Sequence, residues 1–194
     1  MDQLSKLLSG AASVVRRLYR GPGRSGPPGR RLAQRTAPGS TLARPSAVGL
    51  SSPGRTGSDA TVEIDPQDIG PVRMTYSPQT DGKPDPGEVV WTWVPYQEND
   101  GRGKDRPVLL VAVEQSGTLL GVQLTSKPHN DADFLSVGAG AWDDEHRPSW
   151  ANLDRIIRIH PAGMRREGMA LPHREFVAVA GRLEQRYGWT VTGG

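Results

Sequence analysis

Cysteine is absent from the 194 residues, which removes disulfides, thiolate nucleophiles and cysteine-bound zinc in one step. Its absence fits a reducing compartment. Aromatic residues make up only 6% of the chain, with two Phe. No apolar run approaches the roughly 18 residues of a membrane-spanning helix. The expectation is a soluble, cytoplasmic protein. Acidic residues are nearly missing from the first sixty positions, where ten Lys or Arg face two Asp. Residues 61–194 carry fourteen basic and nineteen acidic side chains. The net charge of +3 therefore combines a basic extension with an acidic remainder, and it does not by itself argue for a nucleic-acid-binding domain.

Residues 2–20 read as an amphipathic helix. Leu4, Leu7, Leu8, Ala11, Val14, Val15 and Leu18 recur at helical spacing, Asp2 stands at the N-cap position, and Arg16, Arg17 and Arg20 lie where a helix C-terminus favours cations. Such a helix could lie on a membrane surface or dock on a partner. The plainer reading is a marginal helix that frays alone, because one this short is barely stable in water. From Gly21 the composition turns to Gly, Pro, Ser, Thr and Arg without periodicity. Such a stretch cannot bury enough surface to offset chain entropy, so residues 21–85 are expected to be a disordered linker. Its scattered Arg could touch RNA phosphates, or simply keep the linker soluble. Within it, the stretch after Thr61 could form a short edge strand, limited by Asp-Pro, Gly-Pro and Ser-Pro. The folded domain is expected over residues 86–194.

That domain is organised around GEVVWTWVPYQENDGRGKDRPVLLVAVEQSGTLLGVQLTSK, Gly87 to Lys127. Val89, Trp91 and Trp93 alternate with Glu88, Val90, Thr92 and Val94 at the period of a strand, and both Trp are read as core. A Gly-rich, charged loop follows, Gln97 to Asp105. Val108 to Val113 is a short β-branched run of the kind buried on both faces of a sheet. Ser116-Gly117 makes a turn, and Leu119 to Leu124 forms the third run. A short strand is predicted at Phe134 to Val137 and an alternating one at Leu153 to His160. A helix is predicted from about Pro172, with Phe176, Ala180, Leu183 and Tyr187 on one stripe and Gly188 ending it. Strands followed by a terminal helix give an α+β domain on a small, curved antiparallel sheet, which needs closure or cover at its edges.

The order GEVVW, Gly-rich loop, RPVLLVA, LTSK and then LDRIIRI (Leu153 to Ile159) resembles the PemK/MazF toxins, the endoribonucleases of toxin–antitoxin systems. The resemblance spans about Pro86 to Tyr187. It implies an SH3-like β-barrel with a C-terminal helix, usually a homodimer. It also implies metal-independent cleavage of single-stranded RNA, no cofactor, and a protein antitoxin that blocks the loop beside the site.

RNA carries its own nucleophile, the ribose 2′-OH. An enzyme has only to align it, take its proton, neutralise the phosphorane and protonate the leaving oxygen. Arg106 stands where the loop enters a buried strand, and its planar fork suits two phosphate oxygens. The alternative is a surface Arg paired with Asp105 or another acid. The resemblance makes Arg106 catalytic, and likewise Thr125 at the end of the third strand, which could otherwise just cap a turn. Asp154 matches the family's acid, either as base or as a hold on Arg106. Ser126 matches a substrate-contacting Ser. Arg102, Lys104 and Lys127 could bind the RNA backbone, or be solvated. One departure stands out: some members carry Arg two residues before the Asp, where this chain has Asn152. Arg155 and Arg158 are close in sequence, but alternation puts Arg155 on the face opposite Asp154.

Two clusters have metal-binding residue types: His129, Asp131 and Asp133, and Asp143, Asp144, Glu145 and His146. Neither has the spacing of a ligand motif, and no metal is expected. Trp142 and Trp150 flank a loop and could stack on bases, though packing is the commoner use. The rival to the nuclease is a non-catalytic binding module on the same domain, acting through its N-terminal extension. The acidic domain and Asn152 favour that rival.

Overall fold

In a computed structural model the described residues are 52–192. The expected helix at 2–20 and the linker up to residue 51 lie outside them. The described chain runs β1 (Val62–Ile64), β2 (Arg73–Met74), β3 (Glu88–Pro95), β4 (Gly103–Val113), β5 (Leu119–Thr125), β6 (Phe134–Ala139), β7 (Pro148–Ile159), β8 (Arg165–Ala170), α1 (His173–Tyr187) and β9 (Thr190–Val191). Seven strands form one antiparallel sheet in the order β1-β7-β5-β4-β3-β8, with β6 also on β7, and β2 and β9 make a small parallel pair.

The central run behaves as its composition dictates. Val108 to Ala112 of β4 are completely or almost completely buried, and β4 lies between β3 and β5. Two apolar clusters lie on the two faces of the sheet. Val90, Val94, Val108, Leu110, Leu119, Ile157, Ile159 and Met164 fill one. The other includes Val89, Leu109, Val111, Leu120, Val122 and the helix residues Phe176, Val179, Ala180 and Leu183. Burying the larger of these side chains stabilises the fold by about 1.5–3 kcal/mol each. Gly188, at φ +70°, ends α1 in the left-handed conformation and donates its N–H to Glu184 O at 2.8 Å.

Three expectations change. First, residues 52–85 are not a linker. Val72 and Met74 are buried in the larger core, and β1 pairs with β7. Pro53 and Thr61 make hydrogen bonds to β3 that no local sequence signal announces. Second, Trp91 and Trp93 are not core. β3 keeps an unbroken register with β4 from Val89 to Pro95, and Val89 and Val90 are both buried, in different clusters. The alternation puts Thr92 and Val94 on the buried side with Val90. Both Trp are half-buried, with the guanidinium of Arg165 5.6 Å from the Trp91 ring centre and that of Arg55 4.7 Å from the Trp93 ring.

Third, the sheet does not close into a barrel. β1 and β8 are its two ends and do not pair. β8 covers β3 only from Glu88 to Trp91. Beyond it, the edge of β3 is met by the segment upstream of β1: Trp93 N–H donates to Pro53 O at 3.0 Å, and Thr61 N–H donates to Gly54 O at 2.7 Å. The hydroxyls of Thr61 and Thr92 lie 2.6 Å apart, and Thr92 donates to Gly163 O at 2.7 Å. These contacts satisfy buried polar groups at a seam where backbone pairing stops. Gly54, at φ +78°, fits there because a Cβ would stand 2.5 Å from Gly163 O.

Candidate functional site

The alternation that buries Val108 and Leu110 places Arg106 on the same face of β4, two residues beyond the core. The register pairs Val108 with Gln123. Carried two residues further it sets Arg106 opposite Thr125. Both side chains are half-buried at the mouth of the curved sheet, where apolar filling ends. An open cleft of about 790 Å³ lies there, lined among others by Tyr96, Arg102, Arg106, Gln123, Thr125 and Asp154.

Arg106 makes no ion pair and no side-chain hydrogen bond among the described residues, and Asp105 instead pairs with Arg165 at 3.2 Å. The alternative of an ordinary ion-paired Arg106 therefore finds no partner among the described residues. Its guanidinium is left with its donors facing the cleft. Thr125 Oγ1 accepts the N–H of Lys127 at 3.2 Å, the turn-capping contact expected of such a pair. Its own O–H remains to donate.

β7 supplies the floor. Its register with β5 breaks between Val122↔Ile156 and Leu124↔Ala151, so residues 152–155 bulge. A bulge re-aims side chains. Asn152, Asp154 and Arg155 all line the cleft, and Asp154 and Arg155 take their partners from different elements. Asn152 is buried, and its Oδ1 accepts the Asp154 N–H at 3.0 Å. Arg155 is 6% exposed. It donates to Glu63 of β1, to Pro95 O at 2.8 Å and to Gln123 at 3.4 Å. Asp154 does not hold Arg106: it pairs with Arg186 of α1 at 2.6 Å, and Arg186 also holds Asp133 at 2.6 Å. Next to Arg186, burial pushes the Tyr187 phenol up. That hydroxyl donates to Leu153 O at 2.7 Å, tying the helix to the floor strand.

The other expected contacts divide between two hollows. Arg102 lines the cleft but is exposed and paired with Asp100 at 2.6 Å. Lys104 and Ser126 line a second hollow of about 380 Å³, with Trp91, Trp142 and the 143–147 loop. Lys104 lies on β4 itself, since that strand starts at Gly103 and shortens the expected loop. Arg106, Thr125 and Lys127 line both hollows and form the ridge between them. Trp142 is 3% exposed and its Nε1–H donates to Ser149, so it packs and offers no free ring face. The Arg147 guanidinium, 2.9 Å from Asp143, holds that carboxyl below the usual range. Among the described residues no group of three or more His, Asp or Glu is arranged to hold a metal ion.

Sequence reasoning passed over Gln123, Tyr96 and His129 as site residues. Gln123 was findable: it lies two residues before Thr125, on the same face of a strand.

No curated protein sequence matches the chain. Two solved structures are similar at 19% identity: a MazE-MazF complex from Deinococcus radiodurans, with 54% of this chain and 96% of that chain covered and a TM-score of 0.42, and MazF from the same organism, with 55% and 97% covered and a TM-score of 0.43. The profile of the PemK-like, MazF-like toxins of type II toxin–antitoxin systems matches residues 85–186, more than half of the chain. The chain belongs to that family.

Proposed function

We propose that the protein is a metal-independent endoribonuclease that cleaves single-stranded RNA by attack of the 2′-OH on the adjacent phosphorus, leaving a 2′,3′-cyclic phosphate and a 5′-hydroxyl. The observation that carries this reading is the guanidinium of Arg106, without a partner among the described residues, opposite the Thr125 hydroxyl at an open cleft in a chain of this family. Arg106 neutralises charge on the phosphorane oxygens, and Thr125 donates to one of them. The Asp154 carboxylate takes the 2′-OH proton. Lys127 and Arg102 attract the backbone within the cleft, and Lys104 and Ser126 extend contact into the second hollow. A homodimer and a protein antitoxin covering the cleft belong to the same reading. The first test is incubation of the full chain with single-stranded RNA in EDTA beside Arg106→Ala. Cutting by the parent alone is expected. Intact RNA in both reactions, at ample protein concentration, removes the enzyme.

One observation favours the non-catalytic module. Glu98, Asp131, Asp133 and Asp154 line the cleft as well as Arg102, Arg106, Lys127 and Arg155, so it lacks the one-signed field that gathers nucleic acid. Removal of residues 1–51 separates the readings. The nuclease keeps its cutting, whereas the module loses its partner or its location. A cut at residue 60 would instead remove Pro53 and Gly54 from the seam.

A further inference from the structure

We propose that His129 is the general acid of this reaction, the group that hands a proton to the leaving 5′-oxygen. The proposal rests on the nuclease reading above and adds the one role that Arg106, Thr125 and Asp154 leave unfilled.

A proton donor near neutral pH needs a group that holds its proton and can still release it. Arg106 and Arg155 cannot, because a guanidinium stays charged, and an ammonium group is ordinarily too weak an acid for the task. Asn152 has no acidic proton. Tyr96 lines the cleft, but a phenol ordinarily titrates near pH 10. Imidazole, with an ordinary pKa of about 6.5, is suited to the task.

The chain has four His, all among the described residues, and three are elsewhere. His146 lies on the exposed 143–147 loop, His160 caps the turn before β8 and faces Asp59 at 3.2 Å, and His173 packs against Tyr76 at the start of α1. His129 alone lines the cleft. It sits four residues beyond Thr125, on the connection from β5 to β6. Its ring lies flat on Phe134, with centres 3.5 Å apart and planes 5° from parallel, and its side chain is 23% exposed. The stack holds the imidazole plane while leaving an edge accessible. Asp131 Oδ2 stands 3.7 Å from Nδ1, within ion-pair reach of a protonated ring. Nδ1 thus faces the rim carboxylate, and Nε2 is the nitrogen left for a substrate oxygen.

The step balances as follows. The 2′-O–P bond forms as Asp154 receives the 2′-OH proton. The P–O5′ bond breaks with its electron pair on O5′, which receives the Nε2 proton. Imidazole and Asp154 return to their starting states by exchange with water. No other reactant is needed.

The test uses the full chain and two RNA oligonucleotides, one ordinary and one with sulfur in place of the bridging O5′. A thiolate leaves without protonation, so the second substrate does not need the acid. The expected result is that His129→Gln loses about 10²–10⁴-fold on ordinary RNA and comes within about tenfold of the parent on the sulfur-bridged RNA. Arg106→Ala should stay slow on both. That rescue also shows that the variant is folded. Parent-like cutting of ordinary RNA by His129→Gln overturns the proposal, as does an equal loss on both substrates, which marks a structural role. Failure of the parent on both RNAs is the failure of the nuclease reading, and it takes this proposal with it.

Discussion

The wall and the floor of the cleft each present an arginine, and the two could hardly differ more. Arg155 on the floor is buried and shared among Glu63, Gln123 and Pro95 O, so it ties together β7, β1, β5 and β3. Arg106 on the wall has no partner among the described residues and looks into open space. The floor arginine stands at the seam of a sheet that does not close by backbone pairing, and it completes the fold there. The wall arginine is held only through its backbone, on a strand whose next residues are core. Its head group is therefore available to an anion without breaking anything first. A residue's chemistry is the same in both places, and what differs is whether the fold has already used it.

The largest effect that would sharpen this contrast is on turnover. Arg106→Ala is expected to slow RNA cleavage by roughly 10³-fold, about 4 kcal/mol of transition-state stabilisation. Its unfolding free energy should stay within about 0.5 kcal/mol of the parent's. Rate measurements beside urea melts check both halves.

The floor should answer the other way. Glu63→Leu leaves the buried Arg155 guanidinium without its anion and is expected to destabilise the fold by about 3–5 kcal/mol. The double change Glu63→Leu with Arg155→Leu should recover part of that, because no orphan charge remains. A double-mutant cycle in urea reads the coupling. Strictly additive losses would show that the ion pair does not act as a unit.

The seam upstream of β1 gives a smaller test. Gly54→Ala places a Cβ about 2.3 Å from Thr61 Oγ1 at a positive φ and is expected to cost about 1–3 kcal/mol. An unchanged melting curve would mean that residues 52–61 contribute nothing to the fold.

The smallest effect concerns a pair remote from the cleft. The Arg158 guanidinium, bound to both oxygens of Glu114 at 2.6 and 2.7 Å, holds that carboxyl below the ordinary glutamate range, although burial opposes the shift. A depressed folded-state pKa gives stability that is present above the unfolded value of about 4.3 and is lost as pH falls through the folded value. The gap in melting temperature between the parent and Glu114→Gln should be open at pH 6 and close as pH drops below about 4. A gap independent of pH contradicts the assignment.

What was legible in the chain was what local pattern carries. The β4 run, the α1 stripe and its terminating Gly188 follow from period and composition, whereas Arg106 and Thr125 were singled out by the resemblance to the PemK/MazF toxins. The SH3-like closure was not legible in this form. Whether a sheet closes depends on partners such as Pro53 and Trp93, forty residues apart, and spacing says nothing about them. The bulge at 152–155 was equally hidden, as were the partners that Arg155 finds on β1, β3 and β5. Trp91 and Trp93 misled because both faces of β3 are apolar: Val90, Thr92 and Val94 take the buried face, and beyond Val89 the other face meets the guanidinium groups of Arg165 and Arg55. His129 was visible only as a member of an acidic cluster. Its stack on Phe134 and its place on the cleft needed coordinates.

The most direct test of the central claim is a single-turnover reaction of full-length protein with a single-stranded RNA oligonucleotide in EDTA, with product ends identified. The account predicts 2′,3′-cyclic phosphate and 5′-hydroxyl termini from the parent and a rate at least about 100-fold lower from Arg106→Ala. Products with 3′-hydroxyl ends, or equal rates from the two proteins, would contradict it.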